Sequence, residues 1–557
     1  VSSRASSALS LLGVIAVSYV LLFRLGAEHV PPLVWEATVI LDFFDEMQSF
    51  DLRNAFLSRL LWAQGLLSEG DRALLYGLPT IYLLSWKSSL VSLRIFSAIY
   101  FLGATISLAH ICKRFVTPAV ATATLFTFGL NELGLIFGRY GSSIAGTLCS
   151  VILSFLACAS LVRHPSVGRG VLAVLCLYLA TLGYAPGRIV VLILIGMTLL
   201  GILCNRSESR TCRVCVSLVF CAGVLVVCAV QRHFAHFHVY AYARGEEISM
   251  MLETGYWPDP LLKKWAIFKA ENRPPNAFDY ISFGRELISS VTLPQLRNLI
   301  SPFDQSVGEA RGFSSDPLGL ELFAKPLYPF ILVGLCVASS YTSRWMALTL
   351  VAWLVGGGVP VLLTNRVDSY RTSMLLVPLA VWMAIGIVEA MNQARRARVP
   401  RALITSVPLV TALVIMVSRA GSLHFPTVPP TSTEVVISQL PPRLLHDATI
   451  GVEFMGFRTL AYTKVLLLQR EQKGLTNPGL VVPENAYQHL LSTASLHERM
   501  AVVESLVQDL SNDKPVILGP YVSMLSTLQE LSRLGFRVTP IDLPNLRVAY
   551  VRKEGGR

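Results

Sequence analysis

The sequence predicts a polytopic α-helical membrane protein with interfacial helices and a small C-terminal α/β domain. Three observations predict it. Of 557 residues, 53% are hydrophobic and only 15% charged, and the mean hydropathy is +0.56; a soluble domain of this size could not hide so much apolar side chain. About eleven apolar runs are long enough for a bilayer core of roughly 30 Å. The short loops between alternate runs are rich in Arg and Lys, as the positive-inside rule demands of one side.

The runs lie at about 8–25, 90–112, 117–136, 143–162, 170–184, 187–204, 213–230, 326–341, 345–363, 373–391 and 402–418. The first follows Arg4. It carries bulky Tyr19 and Phe23 and has no small-residue cleavage site, so it reads as a retained span rather than a secretory leader. The stretch 170–204 divides at GYAPGR, where Pro186 and two glycines favour a turn. With the N-terminus inside, CKRF, RHPSVGR, NRSESRTCR, SYTSR and NQARRARVPR fall in the cytoplasm. The outer face then collects the loops 26–89 and 231–325, NELGLIFGRYG, GYAPGR, TNRVDSYR and the C-terminal region. Segments far apart in sequence can therefore meet there.

The formal net charge of +12 belongs to those inner loops. No basic run interleaved with aromatics is present, so nucleic acid is not an expected partner. The ten cysteines lie in spans or inner loops, which excludes a disulfide framework, and Cys212–Cys215 is a lone CxxC without a second pair. The only glycosylation sequon, Asn205-Arg206-Ser207, falls inside, which favours a bacterial inner membrane.

Residues 43–65 read as a helix lying in the interface, with Phe43, Met47, Phe50, Leu57 and Leu61 at helical spacing. Residues 1–420 form the transmembrane domain and 421–557 a soluble extracytoplasmic one. In the latter, ATIGVEF, PVILGP and FRVTPIDL read as strands, and ERMAVVESLVQDLS and SMLSTLQELSRLG as amphipathic helices.

Asp42, Asp45 and Glu46 are spaced i, i+3, i+4 and share a helical face just beyond span one. Two explanations compete: a solvated polar face, or a general base that deprotonates or orients an acceptor hydroxyl at the membrane surface. A divalent cation (Mg, Mn, Ca or Zn) between Asp45 and Glu46 is the cofactor such carboxylates admit. Arg139, Arg188, Arg366 and Arg371 lie next to span ends on the same face. Each either anchors its span to headgroups or holds a phosphate, which guanidinium matches in a bidentate way. Glu132 directly follows an apolar run and is a candidate second acid. His233, His236 and His238 invite a metal reading, but interfacial helices use His and aromatics freely. The long outer loop before residue 326, with GFSSDPLGLELFAKPLYPF, suits a lid or substrate channel.

The order of these segments resembles the GT-C superfamily of integral-membrane glycosyltransferases, above all glycosyltransferase family 39, with the protein O-mannosyltransferases and lipid A aminoarabinose transferases among its relatives. The residues that carry the resemblance are Asp45–Glu46 after span one, SEGDRALLYGLPTIYLLSW and SLRIFSAI, FGRYG, GYAPGR, YARGEEIS, DPLGLELFAKPLYPFILVGL and YRTSMLLVPLAVWMAIGI. It covers about residues 8–400. It implies a sugar donor linked to polyprenyl phosphate and inverting transfer to an extracytoplasmic acceptor: a protein, a lipid or a surface glycan. Asp45 would be the base, with Glu46 beside it. Arg371, then Arg139 and Arg188, would hold the lipid phosphate. Beside this enzyme reading stand two others: a lipid-linked sugar flippase or transporter, and a non-catalytic membrane assembly subunit.

Overall fold

The computed structural model describes residues 3–22, 89–139, 143–183, 185–205, 208–237, short pieces between 281 and 293, 323, 327–362, 372–397, 449–451, 479–481, 516–518, 525–543 and 546–553. They fall into two compact units, one holding the described residues up to 397 and one those from 449 onward.

The first unit is a helical bundle of α1 (Ser3–Leu22), α2 (Ser89–Phe115), α3 (Pro118–Gly129), α4 (Glu132–Arg139), α5 (Ser143–Arg163), α6 (Val167–Thr181), α7 (Ala185–Cys204), α8 (Arg210–Phe237), α9 (Tyr328–Tyr341), α10 (Arg344–Leu362), a 3₁₀ turn at Ser373–Leu375 and α11 (Leu376–Arg396). The sequence marks several starts. Thr117 accepts from the Val120 amide at 3.2 Å and Pro118 opens α3; Ser166 caps α6 through the Arg169 amide; Pro186 is the second residue of α7.

Each of the first ten apolar runs coincides with described helix; the run 402–418 lies outside the described residues. Among the described residues, five helices are long and apolar enough to cross a membrane: 94–115, 144–163, 186–204, 210–232 and 373–396. The pair α3 and α4 passes the same test but is bent by 64°. The described parts of α1, α6, α9 and α10 are apolar and shorter.

The bend breaks the run read as a span at about 117–136. Asn131 ends the first half and starts the second, its Oδ1 accepting from the Gly134 amide at 2.9 Å. Glycines let α4 then lie flat on its neighbours. A Cβ at Gly134 would stand 2.6 Å from Phe101 Cζ, and one at Gly138 2.8 Å from both Leu21 Cδ2 and Phe101 Cβ. Asn131→Ala is expected to cost about 1 kcal/mol or more through the lost cap, read as a lower melting temperature in detergent; an unchanged value would remove the cap from the account of the bend.

Glycines also set the approach of α9 to α11. A Cβ at Gly334 would fall 1.7 Å from the Trp382 carbonyl oxygen, and one at Gly386 1.9 Å from that of Phe330. The two backbones touch, as small residues permit between apolar helices where packing, not hydrophobicity, drives association. Below this contact Tyr341 donates to Glu389 Oε2 at 2.5 Å and accepts from Asn392 Nδ2 at 2.9 Å. α11 also meets α3, where Thr127 Oγ1 donates to the Ala380 carbonyl at 3.1 Å.

The second unit holds β1 (Thr449–Gly451), β2 (Gly479–Val481), β3 (Val516–Leu518), α12 (Leu525–Arg533), β4 (Phe536–Leu543) and β5 (Leu546–Lys553). The sheet order is β2-β1-β3-β5-β4. β1 pairs parallel with β2 and β3, and β5 pairs antiparallel with β3 and β4. Three of these strands fall in the segments expected to be strands, and α12 lies in SMLSTLQELSRLG; the helix expected around 498–511 lies outside the described residues. Leu528 and Leu531 of α12 are buried. Gly535 takes φ +86° just after the helix, the left-handed conformation a glycine adopts most cheaply. Pro540 is tolerated because β4 is an edge strand.

Candidate functional site at the end of the bundle

Hydrogen bonds sort the helix ends into two sets. At one end Arg163 donates to the Arg114 carbonyl, Asn205 to that of Val162 and Arg213 to that of Leu203. This is the basic end, and its loops are those expected inside. At the opposite end lie the last turn of α1, α4, the first turns of α5 and α7, and the 3₁₀ turn.

Arg139 is the last residue of α4 and is buried, 7% exposed. Its Nη1 donates to the carbonyl oxygen of Val20, in the last described turn of α1. A cation bonded to a helix C-terminal carbonyl is favourable for hydrogen bonding and for the helix dipole alike. Arg139 thus fixes α4 to the exit of α1, beyond which the sequence continues to the acidic segment.

Arg188 stands in the first turn of α7, half-buried. Its Nε is buried and has no hydrogen-bond partner among the described residues. The turn before it packs on α5: a Cβ at Gly183 would come within 2.9 Å of Thr147, and one at Gly187 within 2.5 Å of Thr147 Cγ2 and 3.9 Å of Met374 Sδ. The glycines of GYAPGR therefore serve close packing as well as the turn. The 3₁₀ turn is held there by Trp353, whose Nε1 donates to the Met374 carbonyl at 3.0 Å. The start of α5, the start of α7 and the chain just after position 371 converge in this way.

Glu132 is the first residue of α4, half-buried, where a carboxylate meets the positive end of the helix dipole. Val17 of α1 packs on Gly129, the last residue of α3, whereas Arg139 reaches Val20.

Asp42, Asp45, Glu46, Arg366 and Arg371 lie outside the described residues, as do residues 43–65, expected to form an interfacial helix, and His238; His233 and His236 belong to the last turns of α8. Among the described residues no group of three or more His, Cys, Asp and Glu is placed to hold a metal ion.

Sequence reasoning missed Arg94. It is 2% exposed, on the buried stripe of α2 that also holds Ser97, Ala98 and Phe101. Two turns below it Phe101 packs on the α4 glycines, so Arg94 tops the stripe at the end opposite the basic one. One turn along, Ser97 Oγ is buried without a partner among the described residues. The signal was the spacing 94, 98, 101, which puts the arginine on the packed face rather than on a flank.

No known protein family and no curated protein matches the sequence. Solved structures do. ArnT from Cupriavidus metallidurans bound to undecaprenyl phosphate aligns over 99% of this chain and 98% of its own, with TM-score 0.53 and 12% identity. Its apo state aligns over the same shares with TM-score 0.52 and 12% identity. The chain has the fold of these ArnT structures. The oligosaccharyltransferase of Archaeoglobus fulgidus, tethered to an acceptor peptide with an NVT sequon, aligns at TM-score 0.42 and 11% identity over 99% of this chain and 74% of that one, too distant to carry weight. The apolar helices mark the chain as an integral membrane protein.

Proposed function

We propose that this chain is an inverting glycosyltransferase that moves a sugar from a polyprenyl-phosphate carrier to an extracytoplasmic acceptor, be it protein, lipid or surface glycan. The observation that carries the reading is the end-to-end GT-C fold, shared over 99% of the chain with an ArnT whose structure holds undecaprenyl phosphate. Arg188 supports it locally: a buried guanidinium nitrogen without a partner among the described residues is the donor a phosphate oxygen completes.

In this reading Asp45 deprotonates the acceptor hydroxyl, which attacks the anomeric carbon as the carrier phosphate departs. Glu46 and Asp42 flank it, and Glu132 is the second acid. Arg188, Arg371 and Arg366 take the developing phosphate charge. Arg139, bonded to Val20, positions the exit of α1. Asp45 and Glu46 are the ligands of any divalent cation. The soluble domain 421–557 and the site lie on the periplasmic side of a bacterial inner membrane.

The test is transfer from radiolabelled undecaprenyl-phosphate sugars, one by one, to a crude envelope acceptor, with and without chelator. Product from wild type sustains the reading; none from any donor with a folded protein overturns it. Arg188→Ala is expected to weaken donor binding by roughly tenfold to a hundredfold, the value of a charge-assisted hydrogen bond, with Arg188→Lys restoring part. Equal donor affinity in both variants would give that arginine to structure.

One feature suits a transporter of lipid-linked sugar instead. The α3–α4 break carries an acid at the start of its second half, as discontinuous transporter helices do. Movement of the lipid-linked sugar across proteoliposomes without any transfer would put that reading in place of the enzyme.

A further inference from the structure

The basic end carries a second feature that the transferase reading does not use. Lys113 and Arg114 close α2, Arg163 and His164 close α5, and Arg169 stands in the first turn of α6; all five are exposed. The Arg114 and Arg163 guanidiniums both sit against the Phe115 ring, 5.5 and 5.8 Å from its centroid. Each is also tethered by one nitrogen: Arg114 Nη1 to Ser160 Oγ at 3.4 Å, Arg163 Nη1 to the Arg114 carbonyl at 3.3 Å. Arg169 Nη1 donates to the His164 carbonyl at 2.7 Å. None of the five pairs with a carboxylate among the described residues.

Each guanidinium carries five N–H donors, so one tether leaves the rest for an anion. The ring and the tethers hold the two arginines in place before any ligand arrives, which lowers the ordering cost of binding. From the same turn as Arg169 an apolar stripe runs down α6: Val167, Val171, Leu175 and Leu179 are 53%, 47%, 55% and 42% exposed. Spaced by four, they line one helix face. A cationic cluster at the head of an exposed apolar stripe matches one molecule, with a phosphate at one end and acyl chains along the other.

We propose that the ends of α2, α5 and α6 form a binding site for an anionic diacyl phospholipid. Arg114 and Arg163 hold its phosphate, Lys113 and Arg169 flank the headgroup, and the stripe from Val167 to Leu179 takes an acyl chain. The site stands apart from the transferase reading and survives its failure.

The experiment uses the full chain in detergent, titrated with phosphatidylglycerol or phosphatidylcholine and read by native mass spectrometry. Phosphatidylglycerol is expected to be retained in preference to phosphatidylcholine. Basic side chains near a membrane surface each contribute a factor of about five, so Arg114→Gln with Arg163→Gln should weaken retention about thirtyfold. The double Lys variant should keep most of it. Equal retention of the two lipids, or an unaffected double Gln variant, overturns the proposal. Should the Gln variant not fold, added salt must release phosphatidylglycerol from wild type, and salt-independent retention overturns it equally. Inorganic phosphate should fail to displace the lipid; displacement would mean a free-anion site and end the lipid assignment.

Discussion

Asp45→Asn is expected to abolish transfer. A positioned general base contributes roughly 10²- to 10⁴-fold, and the amide keeps the shape of the carboxylate while removing its basicity. Donor binding and detergent stability should stay near wild type, because the phosphate contacts belong to the arginines. The measurement is single-turnover transfer from the donor that wild type accepts, alongside donor affinity for the same variant. Turnover retained within a few-fold would remove Asp45 from the chemistry. Loss of both turnover and donor affinity would assign it to the donor site instead.

Gly334→Val carries the largest expected effect on the fold. The first added carbon would lie 1.7 Å from the Trp382 carbonyl oxygen, an atom of backbone that no rotamer change can move. α9 and α11 must separate, which costs the upper end of the ~1–3 kcal/mol typical of overpacking or more. It also costs the Tyr341–Glu389 bond below the contact. Folded yield by size-exclusion chromatography should collapse. Gly358→Ala is the matched control, since a Cβ there meets nothing within 4 Å; it should leave yield and melting unchanged or slightly improved. A Gly334→Val protein that elutes and melts like wild type would refute the backbone contact.

Hydropathy made the helices legible because burial in lipid imposes one simple demand on composition. The runs at 143–162, 187–204 and 373–391 became α5, α7 and α11 with ends shifted by a few residues. The bend was harder to see. FTFGLNELGLIFGR is mostly apolar, and inside it only Asn131, a capping residue, and Glu132 beside it mark the break. Packing between distant helices left no local trace: nothing near Gly334 in the sequence points to Gly386, and nothing in FGRYG says that Arg139 reaches Val20. The candidate site residues stand out in the sequence as charges at run ends, since a charge beside an apolar run is conspicuous. Arg94 escaped because a single arginine near the start of a run resembles an ordinary flank, and its burial is set by tertiary packing.

The contact between α9 and α11 also bears on how the chain is made. α11 is the last described helix of the bundle, with 78% of its apolar window buried, against 11% for α8. It joins α3 from the first half to α9 from the second. Until translation passes residue 396, Gly334 and Thr127 have no partner, and the nascent bundle is open along that seam. A ribosome stalled before α11 would therefore leave a chain already inserted but unsealed, a natural substrate for membrane quality control. Truncation there should shorten cellular lifetime far more than loss of the entire C-terminal unit.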